Sequence, residues 1–167
     1  MKQLSHYEIT NEHKQFPITI VCDAIRTPEN IGMCFRVAES FGVQHIHFHN
    51  NSPRTANRIV KKTARNTIKQ IAHSFYDDFT LLIQQLKAEH YTIIGIEITD
   101  KSINIQDFNF KNHKKIALLL GSERYGLKHV DLIDHTIAIP MYGRNSSMNV
   151  IHSLAITLYE ATNQLGL

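Results

Sequence analysis

The stretch 18-ITIVCDAIRTPENIGMCFRVAESFG-42 contains the two patterns that decide the fold of this chain. Its first five residues, Ile18–Cys22, form an apolar run with the length of a buried strand. From Asn30 to Phe41 the apolar residues recur at helical spacing. A strand that leads into a helix is the building unit of an α/β fold.

The same alternation continues to the end of the chain. Strands are predicted at 18–23, 45–49, 69–74, 91–98, 116–120 and 136–139. Helices are predicted at 30–41, 55–63, 77–89, 128–132 and 147–163. This order predicts an α/β fold in which helices sandwich a mostly parallel sheet. Because no linker, repeat or low-complexity tract divides the sequence, we expect one domain.

The composition is that of an ordinary globular protein, with 167 residues, 43% of them hydrophobic and 20% charged. No apolar run approaches the roughly 18 residues that span a bilayer, and the N-terminus lacks the apolar core of a signal peptide. We therefore predict a cytoplasmic protein without membrane association. Cys22 and Cys34 form no C-x-x-C pair, which indicates buried thiols rather than a disulfide or a zinc site.

Positive charge is concentrated between Arg54 and Lys69, where six basic residues occur without an acidic one. If this segment is one helix, their spacing of three and four residues places them on one ridge that can follow a phosphate backbone. The predicted RNA-binding residues are Arg54, Arg58, Lys61, Lys62 and Arg65. A solvated helix face is the alternative.

Three predicted strands end in unusual loops, DAIRTPEN at 23–30, GSERYGL at 121–127 and PMYGRNSSMN at 140–149. Each loop combines Gly or Pro with Asn, Glu, Arg or Ser, and ligands of parallel sheets bind beyond the carboxyl ends of the strands. The alternatives are a plain strand-to-helix turn after Gly121, a helix cap formed by Ser147 or Asn149, and a surface ion pair between Arg36 and Glu39.

Two further patterns leave alternatives open. The last predicted helix carries an apolar arc over about half its circumference, which either a partner subunit or a second helix of the same chain would cover. His45, His47 and His49 share one face of a predicted strand, as metal ligands do. Because no fourth ligand is evident, we predict no metal site.

Three motifs, in this order, resemble those of the SpoU/TrmH family of RNA 2′-O-methyltransferases, in the SPOUT superfamily. A family-like N-x-G-x-x-x-R helix runs from Asn30 to Arg36 and closes with an F-G turn. The second motif, L-L-L-G-x-E-x-x-G, is matched by Leu118–Gly126. The third, I-P-x-x-G-x-x-x-S-L-N-V, is matched by Ile139–Val150, with Met148 in place of leucine.

The resemblance extends from about residue 18 to residue 163 and implies a fold with a C-terminal trefoil knot. It further implies that residues 1–167 are a single methyltransferase domain, with 1–16 as an N-terminal extension and no separate RNA-binding domain. Family members act as homodimers, each active site being completed across the interface, and we expect the same here.

The activity implied by the resemblance is methyl transfer from S-adenosylmethionine to a ribose 2′-hydroxyl of RNA. The segment GIEITDKS at 95–102 looks like the G-x-E-Q-T-x-x-S of the branch that methylates guanosine 18 of tRNA, with Ile98 in place of glutamine. We therefore expect tRNA as the substrate. Methylation of rRNA, or a non-catalytic knotted RNA-binding module, is the alternative.

The resemblance also implies the roles of individual residues. Arg36 would lie beside the 2′-oxygen, Gly32 would leave room for the ribose, and Glu123 would hold an arginine or a loop in place. The implied catalytic set is Arg36, Asn30, Glu123, Ser147 and Asn149. The implied S-adenosylmethionine-binding set is Glu97, Gly121, Ile139, Met141, Ser147 and Met148.

Overall fold

A single parallel sheet organises the computed structural model, which describes residues 1–4, 8, 10 and 12–166. Within these residues the strands are β1 (Ile18–Cys22), β2 (His45–His49), β3 (Ala72–Tyr76), β4 (Thr92–Ile96), β5 (Ile103–Asn104), β6 (Ile116–Leu120) and β7 (His135–Ala138). Their order is β3-β2-β1-β6-β4-β7-β5, and every pairing is parallel. The predicted α/β fold with a mostly parallel sheet is confirmed.

Helices cover both faces of this sheet. They are α1 (Pro28–Ser40), α2 (Arg58–Ala64), α3 (Phe79–Ala88) and α4 (Val150–Gly166). Ile20 and Leu118 belong to the core beneath α1, α2 and α4, whereas Val21 and Leu119 belong to the core beneath α3. Because both faces are covered, every residue of β1 and β6 is buried, and both strands are apolar at every position except Thr19.

The register of the central strands brings their ends into line. Cys22 of β1 pairs with Leu120 of β6, which pairs in turn with Ile96 of β4, and Ile96 pairs with Ile137 of β7. The chain segments that follow these four strands therefore emerge side by side at one edge of the sheet.

Several element boundaries differ from the prediction. Helix α4 begins at Val150 rather than Ser147, because the Asn149 side chain accepts a hydrogen bond from the Ile151 backbone N at 2.8 Å. The predicted helix at 128–132 is a 3-10 turn, Val130–Leu132. The sequence pattern does not predict strand β5, because its two residues lie within a polar loop.

Cys22 and Cys34 are buried and free, with their Sγ atoms 3.9 Å apart, as predicted. Residues 5–7, 9 and 11 of the predicted N-terminal extension lie outside the described residues. Among the helices that the structure describes, none is long and apolar enough to cross a membrane.

Gly32 allows α1 and α2 to pack closely. A Cβ atom at this position would overlap the Thr63 hydroxyl and lie 2.8 Å from the Val60 carbonyl oxygen of α2. Gly32 is buried, and it does not line the cleft described below. The expectation that Gly32 leaves room for a ribose is therefore wrong, since the space it leaves is filled by α2.

Replacing Gly32 by alanine is expected to lower the free energy of unfolding by about 1–3 kcal/mol through overpacking against α2. Gly143→Ala is the matched control, because a Cβ there would meet nothing within 4 Å, and its effect should stay within about 0.5 kcal/mol. Urea denaturation of both variants measures the difference. Equal denaturation midpoints for the two variants would contradict this role of Gly32.

Candidate active site

A cleft of about 820 Å³ opens at the carboxyl ends of β1, β4, β6 and β7. This volume is within the range of small-molecule and cofactor sites. Every residue that the resemblance assigned to the cofactor lines it, namely Glu97, Gly121, Ile139, Met141, Ser147 and Met148. Four residues of the implied catalytic set line the same cleft, namely Asn30, Glu123, Asn149 and Ser147, the last of which belongs to both sets.

Arg36 lies outside this cleft. It is exposed on α1, one helical turn beyond Met33, and Met33 does line the cleft. In the described part of the chain Arg36 forms no ion pair with Glu39, so the alternative of a surface ion pair is wrong. Its guanidinium therefore faces outward beside the cleft.

A chain of side-chain hydrogen bonds joins the three motif loops. Asn149 Nδ2 donates to Asn30 Oδ1 at 3.2 Å, and Asn30 Nδ2 donates to Glu123 Oε1 at 2.8 Å. Asn30 is the middle member and is only 6% exposed. One carboxamide in the first turn of α1 thus fixes the loops after β6 and β7 relative to each other.

Glu123 holds the loop that precedes α1. Its carboxylate accepts hydrogen bonds from the backbone N of Arg26 at 3.0 Å and of Thr27 at 3.1 Å. Thr27 is the N-cap residue of α1 but does not cap the helix with its own side chain. A carboxylate from a distant loop therefore satisfies backbone N–H groups at the start of the helix, where negative charge is favoured.

The hydrogen bonds to Glu123 also change its titration. Burial alone would raise the pKa of this carboxyl group, but the hydrogen bonds from Arg26, Thr27 and Asn30 outweigh burial and lower the pKa below its usual value. A carboxylate with a lowered pKa stabilises the fold above its unfolded-state pKa of about 4.3. This stabilisation is lost as the pH falls through the folded-state pKa.

We therefore expect the free energy of unfolding to fall more steeply below about pH 5 in the wild type than in a Glu123→Gln variant. Glu89→Gln is the control, because Glu89 is an exposed carboxylate at the end of α3 and should leave the wild-type slope unchanged. Denaturant unfolding at a series of pH values gives the slopes. Parallel curves for wild type and Glu123→Gln would refute the assignment.

The loop after β6 turns back over its own strand end. Ser122 and Gly126 exchange two backbone hydrogen bonds of 3.0 Å each, and Gly126 has a φ of 62°. A Cβ on Gly121 would lie 2.6 Å from the Leu127 backbone N. The alternative of a plain strand-to-helix turn is wrong, because close backbone approach here requires glycine and no helix follows directly.

Glu97 anchors the same loop from β4. Its carboxylate accepts hydrogen bonds from the backbone N of Ile98 at 2.9 Å and of Leu127 at 3.2 Å. Behind it, the Ser102 hydroxyl donates to the Glu97 carbonyl at 2.7 Å, and Thr99 and Thr136 hydroxyls lie 3.1 Å apart. These bonds fix the 97–102 segment at the cleft. Thr136 belongs to this hydrogen-bond network although no sequence motif includes it.

The predicted basic ridge over 54–69 is wrong as a single helix. Helix α2 spans only seven residues, because the Asn57 side chain caps its start and Arg65, with a φ of 55°, ends it. Arg54 instead lies over the Phe75 ring, 4.1 Å from its centroid. The other predicted RNA-binding residues, Arg58, Lys61, Lys62 and Arg65, are exposed at or next to α2.

His45 and His47 pack as a pair on β2, with Ser74 between them. The Ser74 hydroxyl lies 2.9 Å from His45 Nε2 and 3.0 Å from His47 Nδ1. Burial, together with the charge of His45, lowers the pKa of His47 to about 4, so the ring is neutral at pH 7. His49 contacts a separate partner, the Asn51 backbone N. No group of three or more potential metal ligands occurs among the residues described.

The apolar arc of α4 is covered mainly by the same chain. Ile151, Leu154 and Leu158 are buried where the helix packs against α1 and β4. Ile156 and Tyr159 stay exposed, at 40% and 64%. The alternative of packing against a second helix of the chain is therefore observed, and two large apolar side chains are left on the outer side.

Comparison with known proteins agrees with these motifs. The SpoU rRNA Methylase family profile matches residues 17–159. The 23S rRNA (guanosine-2′-O-)-methyltransferase RlmB of Haemophilus ducreyi is 25% identical over 98% of this chain and 67% of its own length. RlmB of Escherichia coli K12 is 27% identical over 89% of this chain and 60% of its own length. The chain thus spans about three fifths to two thirds of these relatives.

Solved structures share the fold. The A. aeolicus TrmH/SpoU tRNA modifying enzyme superposes with a TM-score of 0.82 at 24% identity, over 93% of this chain and 78% of its own. The AviRb methyltransferase of Streptomyces viridochromogenes, solved with AdoMet, gives 0.80 at 21% identity, over 96% and 64%. The family profile covers the three motif loops and the cleft between them, and the chain belongs to the SpoU rRNA methylase family.

Proposed function

We propose that this chain transfers the methyl group of S-adenosylmethionine to a ribose 2′-hydroxyl of RNA. The observation that carries the proposal is the hydrogen-bonded junction of three motif loops at the edge of a cofactor-sized cleft. The names of the curated relatives, which are RNA 2′-O-methyltransferases, support the same reaction.

The cleft has the chemistry that S-adenosylmethionine needs. Ile96, Ile137 and Ile139 provide apolar walls for an adenine ring. Backbone groups at Gly121, Ile139 and Met148 are available to hold the adenosine. The carboxylates of Glu29, Glu97 and Glu123 line the cleft together with one guanidinium, from Arg124. This excess of negative charge favours a sulfonium cation.

Methyl transfer would form a bond between the 2′-oxygen and the methyl carbon while the methyl–sulfur bond of S-adenosylmethionine breaks and S-adenosylhomocysteine leaves, so negative charge develops on the oxygen as its proton departs. We assign Arg36 to the oxygen, because a guanidinium stabilises developing negative charge. Arg36 is not the base, since a guanidinium stays protonated in proteins. An RNA phosphate or a water molecule accepts the proton. Asn30, Glu123 and Asn149 act by fixing the start of α1, the helix on which Arg36 lies.

The outward position of Arg36 supports a site that is completed between two copies of the chain. We propose a homodimer in which Arg36 of one subunit faces the cleft of the other. The exposed Ile156 and Tyr159 of α4 are available for such an interface. We also propose the trefoil knot of the family, which the membership of this chain in the SpoU family supports.

The class of RNA is the finer part of the proposal. The 95–102 segment supports tRNA guanosine 18, whereas curated relatives named for 23S rRNA support rRNA at least as strongly. The single-domain organisation and the cytoplasmic location stay predictions. Exposed basic residues around α2 would contact RNA phosphates in either case.

The proposal is tested by incubating the purified chain with isotopically labelled S-adenosylmethionine and unmodified tRNA or rRNA. We expect a labelled 2′-O-methylnucleoside in the nuclease digest of one RNA class. Calorimetry with S-adenosylmethionine separates the alternatives. Absence of cofactor binding would favour a non-catalytic RNA-binding module, and label on a base rather than a ribose would contradict the assigned reaction.

A further inference from the structure

A second cleft, of about 500 Å³, lies beyond the carboxyl ends of β1, β2 and β3. Only one loop separates it from the first cleft, since Arg26 lines the second cleft and its neighbour Thr27 lines the first. The loop after β6 is shared in the same way, with Gly126 at the first cleft and Lys128 at the second. A polymer that reaches one cleft can therefore reach the other.

Asp23 is the unusual residue of this second cleft. It is only 9% exposed, and it lines the cleft directly after β1. Within the described part of the chain its carboxylate accepts no hydrogen bond and forms no ion pair. Its backbone N donates to the Leu120 carbonyl at 2.9 Å, so the residue is held in place. A carboxylate that lines a cleft and has no protein partner is available to a ligand that supplies hydrogen-bond donors.

The rim of the cleft supplies two other kinds of contact. The rings of Phe79 and His129 stack with their centroids 5.0 Å apart and an interplanar angle of 22°. His129 is exposed and offers its outer face to a flat ligand. Arg26 and Lys128 are exposed cations that suit a phosphate, although the exposed carboxylates of Asp77 and Asp78 line the same cleft, so a phosphate must lie on the side of the two cations. An inner acceptor, a stacking surface and rim cations together match an unstacked nucleotide.

The carboxylate narrows the choice of base. Its two oxygens only accept hydrogen bonds. Guanine presents two adjacent donors, N1–H and N2–H, on one edge. Adenine and cytosine present an amino group beside an acceptor nitrogen, and uracil presents one N–H between two carbonyl oxygens. A metal ion is a poor alternative occupant, since no group of three candidate ligands occurs in the described residues.

We propose that this second cleft binds a guanine base of the substrate RNA, with Asp23 accepting from the N1–H and N2–H edge and His129 stacking on the ring. This inference rests on the proposed function, because it names a substrate contact of the same enzyme. Asp23 is then a specificity-determining residue and takes no part in the methyl transfer itself.

The test titrates the isotopically labelled full chain, saturated with S-adenosylhomocysteine, with GMP, AMP, CMP or UMP. Backbone amide shifts of Asp77, Asp78 and Lys128 report on the second cleft by NMR. GMP is expected to bind at least about tenfold more tightly than UMP. Asp23→Asn should weaken GMP binding by about tenfold and leave UMP binding nearly unchanged.

One control variant and one variant of the stacking residue complete the test. Asp107→Asn alters an exposed aspartate that lines neither cleft and should change nothing. His129→Ala removes an exposed ring and should weaken all four nucleotides together. The inference is overturned if the four nucleotides bind alike, if none shifts these amides, or if Asp23→Asn leaves GMP binding intact. Binding of S-adenosylhomocysteine is read separately by calorimetry, so its loss would refute the proposed function instead.

Discussion

Replacing Arg36 by alanine is expected to lower kcat by about 100- to 1,000-fold, the usual cost of removing one group that stabilises a developing oxyanion. Affinity for S-adenosylmethionine should stay unchanged, because Arg36 is assigned to the ribose 2′-oxygen and not to the cofactor. Stability should also stay unchanged, since the side chain is exposed. The effect is therefore expected in the chemical step, measured with RNA and cofactor both saturating.

Two further variants define the role of the charge at Arg36. Arg36→Lys keeps a cation but loses the planar fork, so we expect partial activity between that of wild type and alanine. Lys111→Ala removes an exposed cation that lines neither cleft and should have wild-type activity. If Arg36→Ala turns over at a near-normal rate under saturation, Arg36 has no role in the reaction.

Asn30→Asp is expected to lower both the free energy of unfolding and the activity, although it replaces only the side-chain NH2 group by an oxygen. The donor Nδ2, 2.8 Å from Glu123 Oε1, becomes an oxygen, and two carboxylates then face each other. The free energy of unfolding at pH 7 should fall by about 1–3 kcal/mol. Activity should fall by about 10- to 100-fold, because the three loops lose their fixed geometry.

The pH dependence of stability distinguishes charge repulsion in Asn30→Asp from a simple loss of packing. Acidification toward pH 5 should recover part of the stability of Asn30→Asp, because one proton shared by the two carboxyl groups removes the repulsion. Adding Glu123→Gln to Asn30→Asp should also recover part of it, because the new glutamine amide can donate to the introduced carboxylate. Asn104→Asp, at an exposed position of β5, is the control. A wild-type free energy of unfolding for Asn30→Asp at pH 7 would contradict the junction.

Much of the scaffold could be predicted because its signals are local. The buried runs of β1 and β6 are apolar at every position except Thr19, and α1 follows β1 after a loop of five residues. The register of β1, β6, β4 and β7 could not be predicted, since pairing depends on contacts between distant segments. The basic ridge failed for a related reason, because the Asn57 cap and the φ of Arg65 confine α2 to seven residues.

The residues of the candidate site could likewise be predicted from local motifs, but the contacts between them could not. Motif spacing identified the loops and the residues that line the first cleft, but not how they touch. The bond between Asn30 and Glu123 joins residues 93 positions apart, and no sequence pattern reveals it. Gly32 was misassigned because its neighbour is Thr63 of another helix. Asp23 was overlooked because an aspartate after a strand looks like an ordinary loop residue until its burial is known.

The most direct test of the proposed reaction is mass spectrometry of nucleosides from tRNA and rRNA of a strain that lacks this gene. We expect one 2′-O-methylnucleoside to disappear at a single RNA position. It should return with the wild-type gene and stay absent with the Arg36→Ala variant. Unchanged 2′-O-methylation in the deletion strain, or full restoration by Arg36→Ala, would contradict the account.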